Sequence, residues 1–196
     1  MDEIEKYKEI YSGKIGKNYE QRHGEGYGRG FWGEGILEYF KSVNPISVLD
    51  VGCGYGRFCN AVTDFTETVY GADIASVTTG NIIKNDKINY INCEAKTIPL
   101  PDNSVEWVTS FDCLEHCLPE DIDTIFKEFD RVSTKGFILS LSHVGDEHRG
   151  LVLHMTVEPE QWWLDKIKNY GEITREGLML GADYKYIVCV KRVIYV

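Results

Sequence analysis

A glycine-rich loop directly after an apolar run constrains the fold of this chain more than any other feature. Residues 48–58 read VLDVGCGYGRF, in which three glycines alternate with other residues after a strand-like segment. Glycine allows tight turns and lets backbone N–H groups approach a ligand closely, and a helix that starts after such a loop favours binding there. The segment therefore predicts a strand, a tight loop and a helix that together bind a nucleotide-like cofactor.

The glycine spacing and the preceding charge argue against a dinucleotide. The dinucleotide fingerprint G-x-G-x-x-G/A fits Gly52 and Gly54 but meets Arg57 at its third position. Asp50 precedes the first glycine by two residues, at the expected mouth of the loop, where a carboxylate repels phosphate and attracts a cation. A phosphate-free ligand with a sulfonium and an ammonium group, S-adenosylmethionine, suits this loop better. The alternatives are an oxidoreductase on a dinucleotide fold and a plain strand-to-helix turn.

Two segments resemble motifs of the class I S-adenosylmethionine-dependent methyltransferases. Asp50, Gly52, Gly54 and Gly56 match the first motif of that family, E/D-x-G-x-G-x-G, in full. Residues 107–116, WVTSFDCLEH, resemble the family's segment after the fourth strand, which ends in Leu-Glu-His. The two segments occur in the family's order, so the resemblance implies its fold and its cofactor, S-adenosyl-L-methionine.

Strand-like and helix-like segments alternate along the whole chain, which predicts an α/β fold with right-handed crossovers. Predicted strands cover 46–51, 68–74, 88–93, 105–111 and, after Gly136, 137–142, with a closing hairpin at 173–180 and 184–190. One predicted helix ends before Asn44, and three others cover 58–64, 122–132 and 160–167. Together with the resemblance, this predicts a Rossmann-like, doubly wound, mostly parallel seven-stranded sheet with an antiparallel last strand and helices on both faces. We expect residues 1–35 to form a helical lid and residues 36–196 to form the cofactor-binding domain.

The cofactor-binding residues follow from the resemblance and from acids at strand ends. Asp73 ends the second predicted strand, where the family binds ribose hydroxyls, although capping of a following helix is another role for it. The family places an acidic and a small residue against adenine after the third strand, and backbone near the methionine ammonium after the fourth. The implied contacts are Asp50, Gly52, Cys53 and Gly54 in the loop, then Asp73, Ile74, Glu94, Ala95, Ser110 and Phe111, with Tyr19 and Arg22 in the lid.

Two histidines are candidate general bases for a hydroxyl or ammonium acceptor. His143 directly follows the fifth predicted strand and ranks first, and His116 closes the Leu-Glu-His segment. The polar residues 142–154 are expected to form the acceptor wall with Trp162 and Trp163, which could instead be core residues. A metal site at His143, Asp146, His148 and His154 has suitable ligand types but no known spacing, so we expect no metal.

Composition narrows the function further. The formal net charge is −10, from 21 basic and 31 acidic residues, which argues against nucleic acid or an anionic membrane as partner. No apolar run approaches a membrane span, no signal peptide is visible, and six cysteines without a C-x-x-C pair suit a reducing cytoplasm. The sequence therefore predicts methyl transfer to an oxygen or nitrogen of a small molecule. The alternative is a non-catalytic S-adenosylmethionine-binding regulatory or scaffold protein, and the oligomeric state stays open.

Overall fold

The computed structural model describes residues 33–75, 82–148, 151–178 and 184–191, together with Glu5 and Glu9. The helices are α1 (Gly33–Ser42), α2 (Arg57–Val62), α3 (Ile122–Val132) and α4 (Glu160–Ile167), and a 3₁₀ turn covers Leu114–His116. The strands are β1 (Ser47–Val51), β2 (Thr68–Asp73), β3 (Ile88–Asn92), β4 (Val105–Phe111), β5 (Ser133–Ser142), β6 (Glu147–His148), β7 (Leu151–Val152), β8 (Glu172–Leu178) and β9 (Tyr184–Val190).

Seven strands form one sheet in the order β3-β2-β1-β4-β5-β9-β8. β1 pairs in parallel with both β2 and β4, whereas β9 is antiparallel to both β5 and β8. The strand order therefore reverses beside β1, and ligands of such sheets bind outside the carboxyl ends of the strands at this point. The predicted seven-stranded, mostly parallel sheet with an antiparallel last strand is confirmed.

Helices cover both faces of the sheet, also as predicted. Successive residues of a strand point to opposite faces. In β1, Val48 packs in one buried cluster with Phe40 of α1 and Phe58 of α2, while Leu49 belongs to a second cluster with Phe126 of α3 and Trp163 of α4. A near-continuous apolar β1 is thus buried from both sides, and its carboxyl end is held in a fixed position.

The start of β5 differs from the sequence-based expectation. α3 ends at Val132 and β5 begins at the next residue, Ser133, so the prediction that the strand starts after Gly136 is wrong. Gly136 lies inside the strand at φ 143°, and a Cβ there would overlap the carbonyl oxygen of Cys189 in β9. The glycine permits a close approach of two strands instead of ending a turn.

Two further predictions concern the segment after β5 and the lid expected at residues 1–35. The segment expected to be a polar loop after β5 contains a short hairpin of β6 and β7. Most of the predicted lid, including Tyr19 and Arg22, lies outside the described residues, and residues 33–35 begin α1. In the part of the chain that the structure describes, no helix is long and apolar enough to cross a membrane.

Candidate active site

The glycine loop between β1 and α2 has three residues in the left-handed backbone region. The φ angles are 75° at Gly52, 52° at Gly54 and 80° at Gly56, values that side chains other than glycine rarely adopt. A Cβ at Gly52 would overlap the Cys113 side chain, and one at Gly56 would overlap the Tyr90 hydroxyl. Among the described residues, no atom lies within 4 Å of a Cβ built at Gly54. With respect to this part of the chain, the space in front of the middle glycine is therefore open.

Hydrogen bonds tie this loop to the end of β2. The N–H groups of Gly52 and Cys53 donate to the carbonyl of Ala72 over 2.8 and 3.0 Å. The Gly54 N–H donates to Asp73 Oδ2 over 3.0 Å, and the Ala75 N–H donates to Oδ1 over 2.8 Å. Because both oxygens are held, the Asp73 carboxylate has a fixed orientation beside the open face of Gly54. A carboxylate oxygen can accept more than one hydrogen bond.

Asp50 lies near the end of β1, directly before the glycine loop. It is only 3% exposed, accepts a 2.7 Å hydrogen bond from the Thr109 hydroxyl, and lies 3.7 Å from the Cys59 sulfur. Burial raises the pKa of Asp50 to about 7, against the opposing effect of the Thr109 hydrogen bond. The sequence argument placed this carboxylate at the loop mouth, whereas the structure places it inside the sheet. Its contact with the cofactor stays a prediction.

A cavity of about 740 Å³, including the space at its mouth, opens at the carboxyl ends of β1, β2 and β4. Six predicted site residues line it together: Gly52, Asp73, Ile74, Glu94, Ala95 and His116. The lining also includes Val51, Ala72, Cys93, Lys96, Asp112, Cys113, Cys117, Asp121 and Ile125. The sheet thus brings together residues that the sequence separates by more than 60 positions, from Gly52 to His116.

Charged side chains meet at the Glu94 end of this cavity. Lys96 Nζ lies 2.7 Å from Asp121 Oδ2 and 3.4 Å from Glu94 Oε2, and all three side chains are partly exposed. The Asp121 carboxylate raises the pKa of Lys96. An adenine amino group that binds Glu94 would therefore share this carboxylate with a lysine.

The turn after β4 places Asp112 and His116 on the cavity wall. Asp112 has φ 52°, and its N–H donates to the Ser140 hydroxyl over 3.0 Å. His116 Nδ1 lies 3.0 Å from the carbonyl oxygen of Leu153, and its ring packs edge-on against His154 with centroids 4.8 Å apart. Burial lowers the pKa of His116, so the ring favours its neutral form.

Glu115, between these wall residues, joins three segments of the chain. The side chain is fully buried, and its Oε1 accepts the Ser142 N–H over 2.9 Å. Its backbone carbonyl accepts the N–H groups of Met155 and Thr156 over 2.8 and 3.0 Å. Burial raises the pKa of Glu115 well above its ordinary value. The glutamate of the Leu-Glu-His segment is thus a structural residue that positions His116.

The other predicted residues lie away from the cavity lining. His143 is half-buried, with Nδ1 3.3 Å from the Glu158 carbonyl oxygen. Ser110 is buried and its hydroxyl donates to the carbonyl of Val51 over 2.9 Å. The Phe111 ring packs 4.8 Å from that of Phe58, so only backbone atoms of this strand end are candidates for cofactor contact. The proposed roles of these residues stay predictions.

The structure also differs from the sequence predictions for the acceptor wall and for the possible metal ligands. Trp163 is fully buried in the core, whereas Trp162 is partly buried with the Lys166 ammonium 4.4 Å from its ring centroid. Trp162 packs against the edge of this core, so of the two tryptophans it is the one that keeps an exposed surface. The described side chains bring His154 together with His116 and Asp112, a different set from the four metal ligands considered from the sequence.

Sequence reasoning missed three charged residues of the cavity. Asp112 directly follows β4, and an acid at a strand end is the same signal that identified Asp73. Lys96 and Asp121 carry no such signal, because they meet across 25 positions only in the folded chain.

Comparison with known proteins agrees with this geometry. A family model described as a methyltransferase domain matches residues 49–141. An uncharacterized protein of Methanocaldococcus jannaschii is 35% identical over 83 residues, which cover 41% of this chain and 34% of that protein. The chain thus matches about a third of the length of this relative, and the match concerns that segment alone.

Solved structures share the fold at low sequence identity. A chain from a complex between a methyltransferase activator and a methyltransferase of Haloferax volcanii has a TM-score of 0.74 and 13% identity, covering 96% of this chain and 99% of that one. A protein of Pyrococcus horikoshii has a TM-score of 0.69 and 17% sequence identity, and the match covers 98% of this chain and 100% of that one. Magnesium protoporphyrin IX methyltransferase of Synechocystis with bound S-adenosylmethionine has a TM-score of 0.65 and 15% sequence identity, and the match covers 98% of both chains.

The sheet order, the glycine loop and the strand-end carboxylate define a Rossmann-like methyltransferase fold. The methyltransferase-domain match at residues 49–141 and the shared fold support the family of class I S-adenosylmethionine-dependent methyltransferases. The family and the cofactor of this class, S-adenosyl-L-methionine, are therefore confirmed as predicted.

Proposed function

We propose that this chain transfers a methyl group from S-adenosylmethionine to an oxygen or nitrogen of a small-molecule acceptor. The observation that carries this proposal is one cavity that brings two kinds of polar side chain together. Asp73 and Glu94 supply carboxylates to its lining, and His116 supplies an imidazole beside Asp112. One cavity can thus hold a cofactor and the acceptor beside it.

The cofactor end offers groups that fit a nucleoside. The Asp73 carboxylate, fixed beside Gly54, would accept hydrogen bonds from both ribose hydroxyls. Ile74 would pack on the adenine face, and Glu94 would accept from its amino group beside the Ala95 N–H. The open space at Gly54 leaves room for the ribose, which a Cβ would reduce. These residues therefore fit the cofactor of the class.

The methionine end would lie toward the centre of the sheet. Backbone atoms of Ser110 and Phe111, where β4 passes the end of β1, are the candidates that would accept from its ammonium group. When bound, S-adenosylmethionine supplies an electrophilic methyl group on a sulfonium that is already a good leaving group. The protein mainly has to hold the acceptor in line, which can supply roughly 7–11 kcal/mol of the barrier.

His116 is the base that the cavity supports best. A carbonyl oxygen only accepts, so the contact with Leu153 requires Nδ1 to carry the hydrogen and Nε2 to carry the lone pair. Burial keeps the ring neutral, which is the form that takes a proton from a hydroxyl or an ammonium acceptor. His143, predicted first from the sequence, does not line the cavity and is the second candidate.

Charge and cysteine chemistry support the remaining parts of the proposal. A net charge of −10 disfavours nucleic acid as the acceptor, which supports the choice of a small molecule. All six cysteines are free thiols, which suits a reducing cytoplasm.

Calorimetric titration with S-adenosylmethionine and with NAD tests the cofactor assignment. We expect saturable binding of S-adenosylmethionine and none of NAD, and the reverse result would contradict the proposal. Substitution Asp73→Asn should weaken the binding, whereas Asp64→Asn, an exposed acid after α2, should not.

Methyl transfer needs a separate experiment. The protein is incubated with methyl-labelled S-adenosylmethionine and pooled metabolites, and labelled products are identified by mass spectrometry. A labelled small molecule whose formation falls in a His116→Gln variant supports the proposal. Cofactor binding without any labelled product, across all pools, would favour the non-catalytic alternative.

A further inference from the structure

Three side chains at the edge of the cavity, one of which is the proposed base His116, form a cluster of possible metal ligands. An oxygen of Asp112 and one ring nitrogen each of His116 and His154 all lie within 4.8 Å of one another. We propose that Asp112, His116 and His154 bind one divalent transition-metal ion. Because Asp112 and His116 line the cavity, the bound ion borders the acceptor end. The sequence led us to expect no metal. A bound ion would occupy the Nε2 lone pair of His116 that the proposed base uses, so metal binding and that base role exclude each other, whereas the binding of metal is tested separately from methyl transfer.

The three residues come from separate segments that the fold holds in place. Asp112 follows β4, and its N–H is bound by the Ser140 hydroxyl of β5. His116 ends the 3₁₀ turn that Glu115 fastens to β5. His154 is 5% exposed and follows the short β6–β7 hairpin. Their closeness is thus a product of tertiary structure, with each main chain fixed independently.

Both imidazoles have the hydrogen-bonding arrangement of metal ligands. His116 Nδ1 contacts the carbonyl of Leu153, and His154 Nδ1 contacts the carbonyl of Val144. Since a carbonyl oxygen only accepts, each Nδ1 carries a hydrogen and each Nε2 carries a lone pair. Metal-ligating histidines commonly use the second ring nitrogen in this way, which fixes the tautomer and the ring orientation.

The ligand types select the class of metal. Two imidazoles with one carboxylate suit Zn²⁺ or another first-row transition metal, whereas Mg²⁺ and Ca²⁺ prefer oxygen ligands. Ligand atoms on one tetrahedral Zn²⁺ lie about 3.3 Å apart, so the farthest pair here closes by about 1.5 Å on binding. Rotations of the side chains supply this movement. Three protein ligands leave at least one coordination position for water or an acceptor oxygen.

Two nearby thiols offer a competing site, and the experiment has to separate them. Cys113 and Cys117 lie on the same turn as His116 and also line the cavity. The matched variants are Asp112→Asn and His154→Gln within the cluster, with His143→Gln and a Cys113→Ser/Cys117→Ser double variant as controls. Asparagine tolerates the left-handed backbone of residue 112, so Asp112→Asn should preserve the turn.

Chelator-treated full-length protein is titrated with Zn²⁺ by calorimetry and with Co²⁺ by absorption spectroscopy. We expect one equivalent of metal in the unmodified protein and in both controls, with at least tenfold weaker binding in Asp112→Asn and His154→Gln. The Co²⁺ spectrum should lack a thiolate charge-transfer band. Circular dichroism checks that each variant is folded. If His154→Gln is misfolded, the metal affinity of Asp112→Asn decides the proposal by itself. No binding, unchanged affinity in Asp112→Asn, or a thiolate band lost with the cysteines would each overturn the proposal.

Discussion

The buried carboxylate of Asp50 makes the stability of the fold depend on pH in a direction opposite to most acids. Its pKa is raised from an ordinary value of 3.8 to about 7, chiefly because burial disfavours the charged form. The folded protein therefore keeps this proton to higher pH than the unfolded chain does. The free energy of unfolding is unaffected by Asp50 below about pH 4, falls as the pH rises toward about 7, and is level above that.

The magnitude follows from the size of the shift. A difference of about three pKa units at about 1.4 kcal/mol each gives a loss of roughly 4 kcal/mol at neutral to alkaline pH. Asp50→Asn removes the ionisable group but keeps an oxygen that can accept from the Thr109 hydroxyl. We expect the unmodified protein to lose roughly 3 kcal/mol relative to Asp50→Asn between about pH 5 and about pH 8, the rest of the loss lying below about pH 5.

Urea unfolding of the cofactor-free protein at several pH values measures this difference. The matched control is Asp64→Asn, which removes the same formal charge from an exposed position and should leave the pH dependence of the unmodified protein in place. Parallel stability curves for Asp50→Asn and the unmodified protein across this range would refute the burial argument. A gain in stability of the unmodified protein relative to Asp50→Asn with rising pH would refute it as well.

Three further predictions concern the loop, the ribose carboxylate and the core. Gly54→Ala should cost about 1–2 kcal/mol of unfolding free energy from its φ of 52°, and should also weaken S-adenosylmethionine binding because its Cβ enters the open space, as urea unfolding and calorimetry would show. Asp73→Asn should weaken S-adenosylmethionine binding about tenfold or more, since a hydrogen bond to a charged group is worth about 1.5–3 kcal/mol, and an unchanged affinity would contradict the ribose assignment. Phe129→Ala, at a fully buried position of α3, should lower the free energy of unfolding by about 3–5 kcal/mol in urea titrations, and a loss below about 1 kcal/mol would contradict its core role.

Local patterns in the sequence predicted the fold, and they selected several residues that the structure brings into one cavity. Alternation of strands and helices, the glycine loop and the acid after β2 are all signals within a few residues. The structure accordingly places Gly52 and Asp73 in one cavity and orients the carboxylate through Gly54. Short-range patterns thus suffice where each group lies at the end of its own strand.

Features that depend on long-range packing could not be predicted in the same way. The burial of Asp50 follows from the central position of β1 and from the Thr109 hydroxyl, 59 positions away. The approach of His154 to His116 depends on the path of the chain after β5, which no local pattern specifies. Gly136 was interpreted as the residue that precedes the fifth strand, because the sequence does not show that the backbone of β9 passes beside it.

The two-sided attachment of Glu115 has a consequence for how this protein can diversify. The side chain holds the chain where it leaves the sheet at Ser142, and the backbone carbonyl holds it again on its return at Met155. Residues 143–154 therefore leave and rejoin the domain at two points fastened to one residue. Because both ends of this segment are fastened to Glu115, we expect changes of its sequence or length to leave the sheet and the glycine loop unchanged.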